Sequence, residues 1–189
     1  MTDKRFNPEK ARVLMSEDRK KLLPPDEIIK HLNVTQDDTI ADLGAGNGYF
    51  TIPLARRTKK TVYAVDIEPK MLEMLRENAR EELFENLFYV ESDLDHIQLD
   101  DNSVNKVMIA FVIHEVPNID KTLSEIKRIL KSGGQMLLIE WEAIQTESGP
   151  PVHHRIPSEE MSRILKENGF DAKIIPLNQA NYAIKAIPN

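Results

Sequence analysis

The sequence predicts an α/β protein built on a mostly parallel sheet with helices on both faces. Three observations carry that reading. From residue 39 onward, short apolar runs that suit strands alternate with stretches of helical periodicity. The first run ends in a glycine-rich turn, Asp42-Leu43-Gly44-Ala45-Gly46-Asn47-Gly48, which leads into a helical pattern. The chain closes on two strand-like runs about four residues apart. A parallel crossover needs a dozen or more residues, so these two runs must form an antiparallel hairpin.

The elements follow in order. Phe6 to Leu23 reads as a helix or helix pair, with Pro8 in its first turn and Pro24-Pro25 ending it. Asp26–Leu32 is a second short helix, with Ile28, Ile29 and Leu32 on one side. Residues 1–33 therefore form an N-terminal helical addition and a candidate lid over a pocket. Thr39–Leu43 is the first strand, Tyr49–Arg57 a helix and Thr61–Val65 the second strand. Pro69–Leu83 is a helix with Leu72, Leu75, Ala79 and Leu83 on one face, and Leu87–Glu91 is the third strand.

Val104–Ile113 is the most apolar strand and so the central one, because strands buried on both faces read as continuous apolar runs. Asp120–Leu130 is a helix, and Ser132-Gly133-Gly134 turns into the strand Gln135–Glu140. Glu142 to Pro157 is polar and reads as a loop insertion. Ser158 is the expected N-cap of a helix over Glu159–Asn168, and Gly169 sits where a C-terminal glycine belongs. Ala172–Leu177 and Tyr182–Ile187 form the closing hairpin. With no internal repeat, low-complexity tract or linker, residues 1–189 read as a single domain.

Composition narrows the function classes. The formal net charge of −6 disfavours a nucleic-acid partner, whose phosphates call for a basic face. The longest apolar run, Val107 to Ile113, is far too short to span a membrane. No cysteine is present, so a thiolate nucleophile and a cysteine-based zinc site are excluded. The N-terminus lacks a signal-peptide pattern, and a cytoplasmic location is expected by default.

The chemistry is concentrated at strand ends. Glycines at 44, 46 and 48 let bare backbone approach a ligand. The spacing is G-x-G-x-G, where a dinucleotide fingerprint would read G-x-G-x-x-G, and no G-x-x-x-x-G-K-[ST] phosphate loop occurs. Asp66 ends the second strand, 22 residues after Gly44, where an acid can accept from both hydroxyls of a ribose. Ser92-Asp93-Leu94 ends the third, where an acid can accept from an exocyclic adenine amine and Leu94 can pack on the ring. Taken alone, Asp93 suits a helix N-cap or a surface acid equally well. Three adjacent strands thus end in candidate nucleoside contacts, where open α/β sheets bind ligands.

With these pieces in order, the sequence resembles the class I S-adenosyl-L-methionine (AdoMet)-dependent methyltransferases. The matching motifs are Asp42-Leu43-Gly44-Ala45-Gly46-Asn47-Gly48, Val65-Asp66-Ile67, Ser92-Asp93-Leu94, Phe111-Val112-Ile113-His114-Glu115-Val116-Pro117 and Leu130-Lys131-Ser132-Gly133-Gly134. It is most similar to the small-molecule branch that includes quinone-biosynthesis C-methyltransferases. The resemblance implies a Rossmann-like doubly wound sheet of seven strands in the order 3-2-1-4-5-7-6, with strand 7 antiparallel. It also implies that Asp42 orients the cofactor's amino group, that Gly44, Ala45 and Gly46 line its methionine portion, and that Asp66 with Ile67 holds the ribose. Asp93 and Leu94 are then expected at the adenine, and the cofactor carboxylate near the helix start after Gly48.

Transfer of a methyl group from a sulfonium releases a neutral leaving group, so the enzyme must mainly align the acceptor and exclude water. A base is needed only where the acceptor loses a proton. His114 and Glu115, at the tip of the central strand, are the catalytic candidates, with pocket shaping as the alternative role. Glu140, Trp141 and Arg155 are the substrate-side candidates: Trp141 for stacking on a ring, Arg155 for an acidic group. His153 and His154 are adjacent, and on an extended chain they would point in opposite directions, which argues against a metal. The expected partner is a small molecule. A non-catalytic AdoMet-binding protein and an NAD(P)-dependent oxidoreductase are the alternatives; glycine spacing, the closing hairpin and the missing Tyr-x-x-x-Lys pair speak against the latter.

Overall fold

A computed structural model describes residues 15–189 of the chain. The part of the expected N-terminal helix that falls on residues 6–14 lies outside the described residues. Helices α1 (Glu17–Leu22) and α2 (Pro25–Ile28), the latter running into a 3-10 turn over Ile29–Leu32, precede the sheet. Strands β1 (Ile40–Leu43), β2 (Val62–Asp66) and β3 (Leu87–Glu91) follow, with α3 (Thr51–Ala55) and α4 (Pro69–Asn78) between them. Then come β4 (Val104–Ala110), α5 (Ile119–Ile129), β5 (Leu130–Trp141), α6 (Ser158–Glu167), β6 (Phe170–Pro176) and β7 (Asn181–Pro188).

The seven strands form one sheet in the order β3-β2-β1-β4-β5-β7-β6. The pairings among β1 to β5 are parallel, while β7 runs antiparallel to both β5 and β6. That is the topology the family resemblance implies. Strands β1 and β4 lie at the centre, and the four residues of β1 are all buried. Two apolar layers cover the faces. One gathers Leu32, Leu54, Leu72 and Leu75, the other Leu123, Ile126, Ile129 and Leu165. Burying a Leu or Ile side chain stabilises by about 1.5–3 kcal/mol, so these layers hold the sheet in place.

Helix α5 shows how the sequence specifies its elements. Asn118 caps it by accepting from the Lys121 N–H at 3.0 Å, Asp120 lies in the first turn, and Lys127 and Arg128 lie in the last. Its Leu123, Ile126 and Ile129 face the sheet, as the spacing predicts.

Several boundaries differ from expectation. The helix after the glycine loop starts at Thr51, because Tyr49 and Phe50 complete the turn. Pro53 fits its first turn, where backbone N–H groups have no intrahelical partner. Strand β4 stops at Ala110, because Phe111 adopts φ +61° and swings the chain out of the sheet. Such a φ is uncommon for a bulky residue and reflects strain held by the surroundings. Helix α4 gives way to a 3-10 turn at Arg80–Glu82. Ser158 is not an N-cap: Pro157 holds that position without a side-chain bond, and the Ser158 N–H is taken by the Glu142 carboxylate at 3.1 Å.

Candidate active site

A cavity of about 930 Å³ opens at the carboxyl ends of β1, β2, β3 and β4. The glycine loop forms its floor. Gly44, Gly46 and Gly48 all have positive φ. At Gly44 a Cβ would stand 2.2 Å from Val112 Cγ2, so the loop and the β4 tip touch where only hydrogen fits. The Gly44 and Ala45 N–H groups donate to Val65 O, tying the loop to β2.

Asp42 is the penultimate residue of β1, and its side chain is buried. Thr51 Oγ1 donates to its Oδ2 at 2.6 Å. Burial pushes the Asp42 carboxyl up to about 7, the Thr51 bond opposes that rise, and the nearby Asp66 charge adds to it. Asp66 is held by main chain: Oδ2 accepts from Gly46 N–H at 2.8 Å and Oδ1 from Glu68 N–H at 2.9 Å. Burial also raises Asp66, against those backbone bonds. Asp93 is exposed on the rim, and its Oδ1 accepts from His96 N–H at 2.8 Å. Leu94 is buried, while Ile67, 47% exposed, forms an apolar part of the wall.

On the other side stand the β4 and β5 tips. Glu115 lines the cavity, whereas His114 lies behind it, buried. The His114 ring sits against a carboxylate on each side: Nδ1 is 2.7 Å from Glu140 Oε1, and Nε2 is 3.7 Å from Glu115 Oε1. Glu140 is wholly buried, and its Oε2 accepts from Trp141 N–H at 3.0 Å. The sequence reading treated His114 and Glu140 as separate candidates. The parallel register that puts Ala110 beside Ile139 brings them together.

Trp141 and Arg155 lie outside the cavity wall. Trp141 packs on Phe111 with ring centroids 5.5 Å apart, and the Arg155 guanidinium lies 4.9 Å above its ring. Arg155 is buried and donates to Pro150 O, Ile144 O, Thr146 Oγ1 and Ser148 O. These bonds give it a structural part in the loop over residues 142–157. His153 and His154 do not splay apart: Val152–His154 forms a 3-10 turn, and the rings meet edge to face at 4.3 Å. Among the described residues, no group of three or more His, Asp or Glu is placed to hold a metal ion.

One residue escaped the sequence reading. Arg19 of α1 reaches the cavity and lies between two rings, 4.5 Å above Tyr49 and 5.2 Å from Phe111. Burial lowers its guanidinium to about 10, an effect that the Tyr49 side chain opposes. The only sequence signal was its place on a helix preceding the first strand.

The strand order and the acid-ended strands around one glycine-floored cavity define a class I AdoMet-dependent methyltransferase fold and site. Residues 41–138, just over half of the chain, match the model of the family described as methyltransferase domain, and the chain belongs to that family. It is 39% identical to a ubiquinone/menaquinone biosynthesis C-methyltransferase UbiE of Brucella abortus over 103 residues, which are 54% of this chain and 38% of the relative. The chain thus matches well under half the length of that relative. A SAM-dependent methyltransferase from Aquifex aeolicus superposes with a TM-score of 0.90 at 25% identity, over 96% of this chain and 98% of that one. The [4+2]-cyclase SpnF also shares the fold, with a TM-score of 0.76 at 14% identity over 88% of this chain and 81% of that one. Fold alone therefore does not name a reaction; family membership makes AdoMet the cofactor here.

The residues present fit that cofactor. Two buried carboxyls, Asp42 and Asp66, need hydrogen-bond donors or positive charge to offset their desolvation. Ile67 and Leu94 offer apolar surface for a flat base, and the cavity is large enough for a nucleoside-sized ligand.

Proposed function

We propose that the chain moves a methyl group from AdoMet to a small aromatic acceptor. The observation that carries this reading is the shared cavity: acids from β1, β2 and the segment after β3 meet Glu115 and Phe111 of the β4 tip across one space. Bound AdoMet supplies a methyl group on a cationic sulfur that leaves as a neutral thioether. Asp42 and Asp66 hold the amino group and the ribose, with Gly44, Ala45 and Gly46 beside the methionine portion and Ile67 beside the ribose. Asp93 and Leu94 hold the adenine.

On the acceptor side, Glu115 meets the reacting molecule and His114 backs it. Glu140 holds the His114 Nδ1 face, so the Nε2 face is turned toward Glu115. An acceptor that loses a proton would hand it to this pair. An aromatic acceptor is supported by the Phe111 ring on the cavity wall, with Trp141 packed against it, and by the quinone C-methyltransferase that shares the motif-bearing half of the chain. The acidic balance supports a small molecule over a nucleic acid, with the cytoplasm as the place of action. Among the described residues no helix is long and apolar enough to cross a membrane.

The test is calorimetric titration with AdoMet and with NADH, followed by labelled methyl transfer to panels of phenols, quinols, acids and amines. AdoMet binding with transfer to a phenol or quinol is the expected result. Preference for NADH overturns the reading, and AdoMet binding without transfer to any panel member overturns its catalytic part.

A further inference from the structure

We propose that the amino end of the sheet, away from the AdoMet cavity, holds a second binding site. There Lys106, Lys185 and Gln135 take a small tetrahedral oxyanion of the phosphate type.

Lys106 is the third residue of β4 and only 8% exposed. The cavity opens at the other end of the same strand. A buried charge is normally paired with an opposite one. Among the described residues, Lys106 Nζ makes no hydrogen bond, and neither Lys106 nor Lys185 has a carboxylate oxygen within 4.0 Å. Burial lowers the Lys106 amine, the Asp38 charge opposes that, and the Lys185 charge adds to it. Asp38 is directed elsewhere: its Oδ2 accepts from the Thr35 N–H at 2.8 Å and from the Thr35 hydroxyl at 3.0 Å.

The sheet register gathers the donors. Lys106 lies directly beside Gln135 of β5, and Leu137, two residues on, lies opposite Lys185 of β7. Alternation along β5 puts Gln135 and Leu137 on one face, so Lys106, Gln135 and Lys185 rise from the same side of the sheet. Lys173 of β6 stands opposite Lys185 and adds a further positive charge to the row. Like charges set opposite one another destabilise a sheet unless something offsets them.

Gln135 carries a second irregularity, a buried Oε1 with no hydrogen-bond partner. Turned over, the same amide presents two N–H donors at that spot. Lys185 has donors to share: the Asn33 amide oxygen, once turned toward β7, accepts from its Nζ at 2.9 Å, and two N–H groups remain. One anion accepting from Lys106, Lys185 and the Gln135 amide answers both the unpaired cation and the unpartnered amide. Two ammonium groups and a carboxamide on three strands surround a tetrahedral ion, whereas a planar carboxylate is matched better by a guanidinium. The burial of Lys106 admits a small ion and keeps out a lipid surface or a nucleic-acid strand.

The test is calorimetric titration of the full chain with inorganic phosphate, against sodium chloride at the same ionic strength, with melting temperatures measured in both salts. Lys106→Met and Lys185→Met should each weaken phosphate binding at least about tenfold, the weight of a hydrogen bond to a charged group. Lys166→Met, at an exposed position of α6, should leave it unchanged. Gln135→Glu places a carboxylate beside Lys106, so that chain should melt above the wild type in chloride and gain nothing further from phosphate. Should Lys106→Met fail to fold, Lys185→Met and Gln135→Glu carry the same comparison. Phosphate should bind equally well with AdoMet present; competition would put the anion in the cavity and overturn the second site. Equal phosphate affinity in the wild type, Lys106→Met and Lys185→Met overturns it too, and makes Lys106 a lysine whose tip merely reaches water. So does a Gln135→Glu chain that melts lower in chloride and still responds to phosphate, or an equal rise in melting temperature for every chain.

Discussion

Asp66 and Glu140 are both buried carboxylates at the carboxyl end of a strand, yet they are held by different means. Asp66 accepts two backbone N–H groups, from Gly46 and Glu68, so its position follows from the path of the chain around the glycine loop. Glu140 takes one backbone N–H, its neighbour's, and otherwise depends on the His114 ring contributed by the segment after β4. The cofactor half of the cavity thus rests on main chain at Asp66 and on one nearby hydroxyl, Thr51, at Asp42, and the acceptor half on side chains meeting across strands. The first is rigid by construction, and at Gly44 its loop has no room for an added atom. The second can change with single substitutions while the first stays intact.

The division is broken most severely at Gly44. Gly44→Ala adds a Cβ 2.2 Å from Val112 Cγ2 at a φ of +71°. Overpacking and backbone strain together should cost about 4 kcal/mol and abolish AdoMet binding. Urea denaturation and calorimetry check both effects. Val112→Ala in the same chain should recover part of the stability, because it removes the methyl groups nearest the new atom. Gly133→Ala is the contrast: its φ is +74° but nothing lies within 4 Å, so it should lose about 1 kcal/mol and leave cofactor affinity untouched.

Asp42 sharpens the comparison through pH. Its folded-state pKa, about 7, lies some 3 units above the ordinary value of 3.8. The folded chain therefore holds this proton at pH values where the unfolded chain has lost it. The stability that follows is fully present below about pH 4 and is lost as pH rises to about 7, a change on the order of 4 kcal/mol. Asp42→Asn should remove that dependence, making the variant more stable than the wild type at about pH 8 while weakening AdoMet binding. Urea midpoints for both chains across this range, with calorimetry of AdoMet, measure it. Positive charge on the ligand favours ionised Asp42, so wild-type affinity should rise with pH through the same window, with proton release on binding. A wild-type stability that does not fall more than the variant's between pH 4 and 8 would contradict the assignment.

How much of this could be read in the sequence follows the same division. Alternating periodicity and the closing hairpin gave the strand count and, with the family resemblance, the sheet order. Asp42, the glycines and Asp66 stood out because a main-chain cradle must be written locally, in residues that permit it. The His114–Glu140 contact was hidden because 26 residues separate the partners and only the β4–β5 register joins them. Arg19 was hidden because a basic residue on a polar helix looks like any solvated charge until the helix is docked. Ser158 misled for a related reason: the helix starts at Ser158 itself, whose own N–H is reached by Glu142, from 16 positions upstream.

Glu140 tests whether the halves separate. Glu140→Ala leaves the buried His114 without its 2.7 Å partner and should cost about 3 kcal/mol of stability. Transfer should fall at least tenfold, roughly the weight of one positioned acid–base group. AdoMet affinity should stay within about threefold, because no cofactor-side contact changes. Calorimetry and single-turnover transfer give both numbers. A matching loss of AdoMet affinity would show the two halves to be one unit.

The smallest expected effect is at Arg155, and it decides between two roles for that residue. Its donors reach Pro150 O, Ile144 O, Thr146 Oγ1 and Ser148 O, while its flat face rests on Trp141. A clamp of this kind shapes the loop without touching the acceptor, so Arg155→Ala should lower stability by about 1–2 kcal/mol. It should also raise KM by a similar factor for charged and uncharged acceptors, with AdoMet affinity unchanged. A direct ion pair predicts another pattern, in which only acceptors bearing an acidic group lose affinity. These loop bonds already occupy the guanidinium, and an acceptor that used it would have to displace at least one of them. The geometry therefore favours the uniform rise, and a rise confined to acidic acceptors would make Arg155 part of the acceptor site after all.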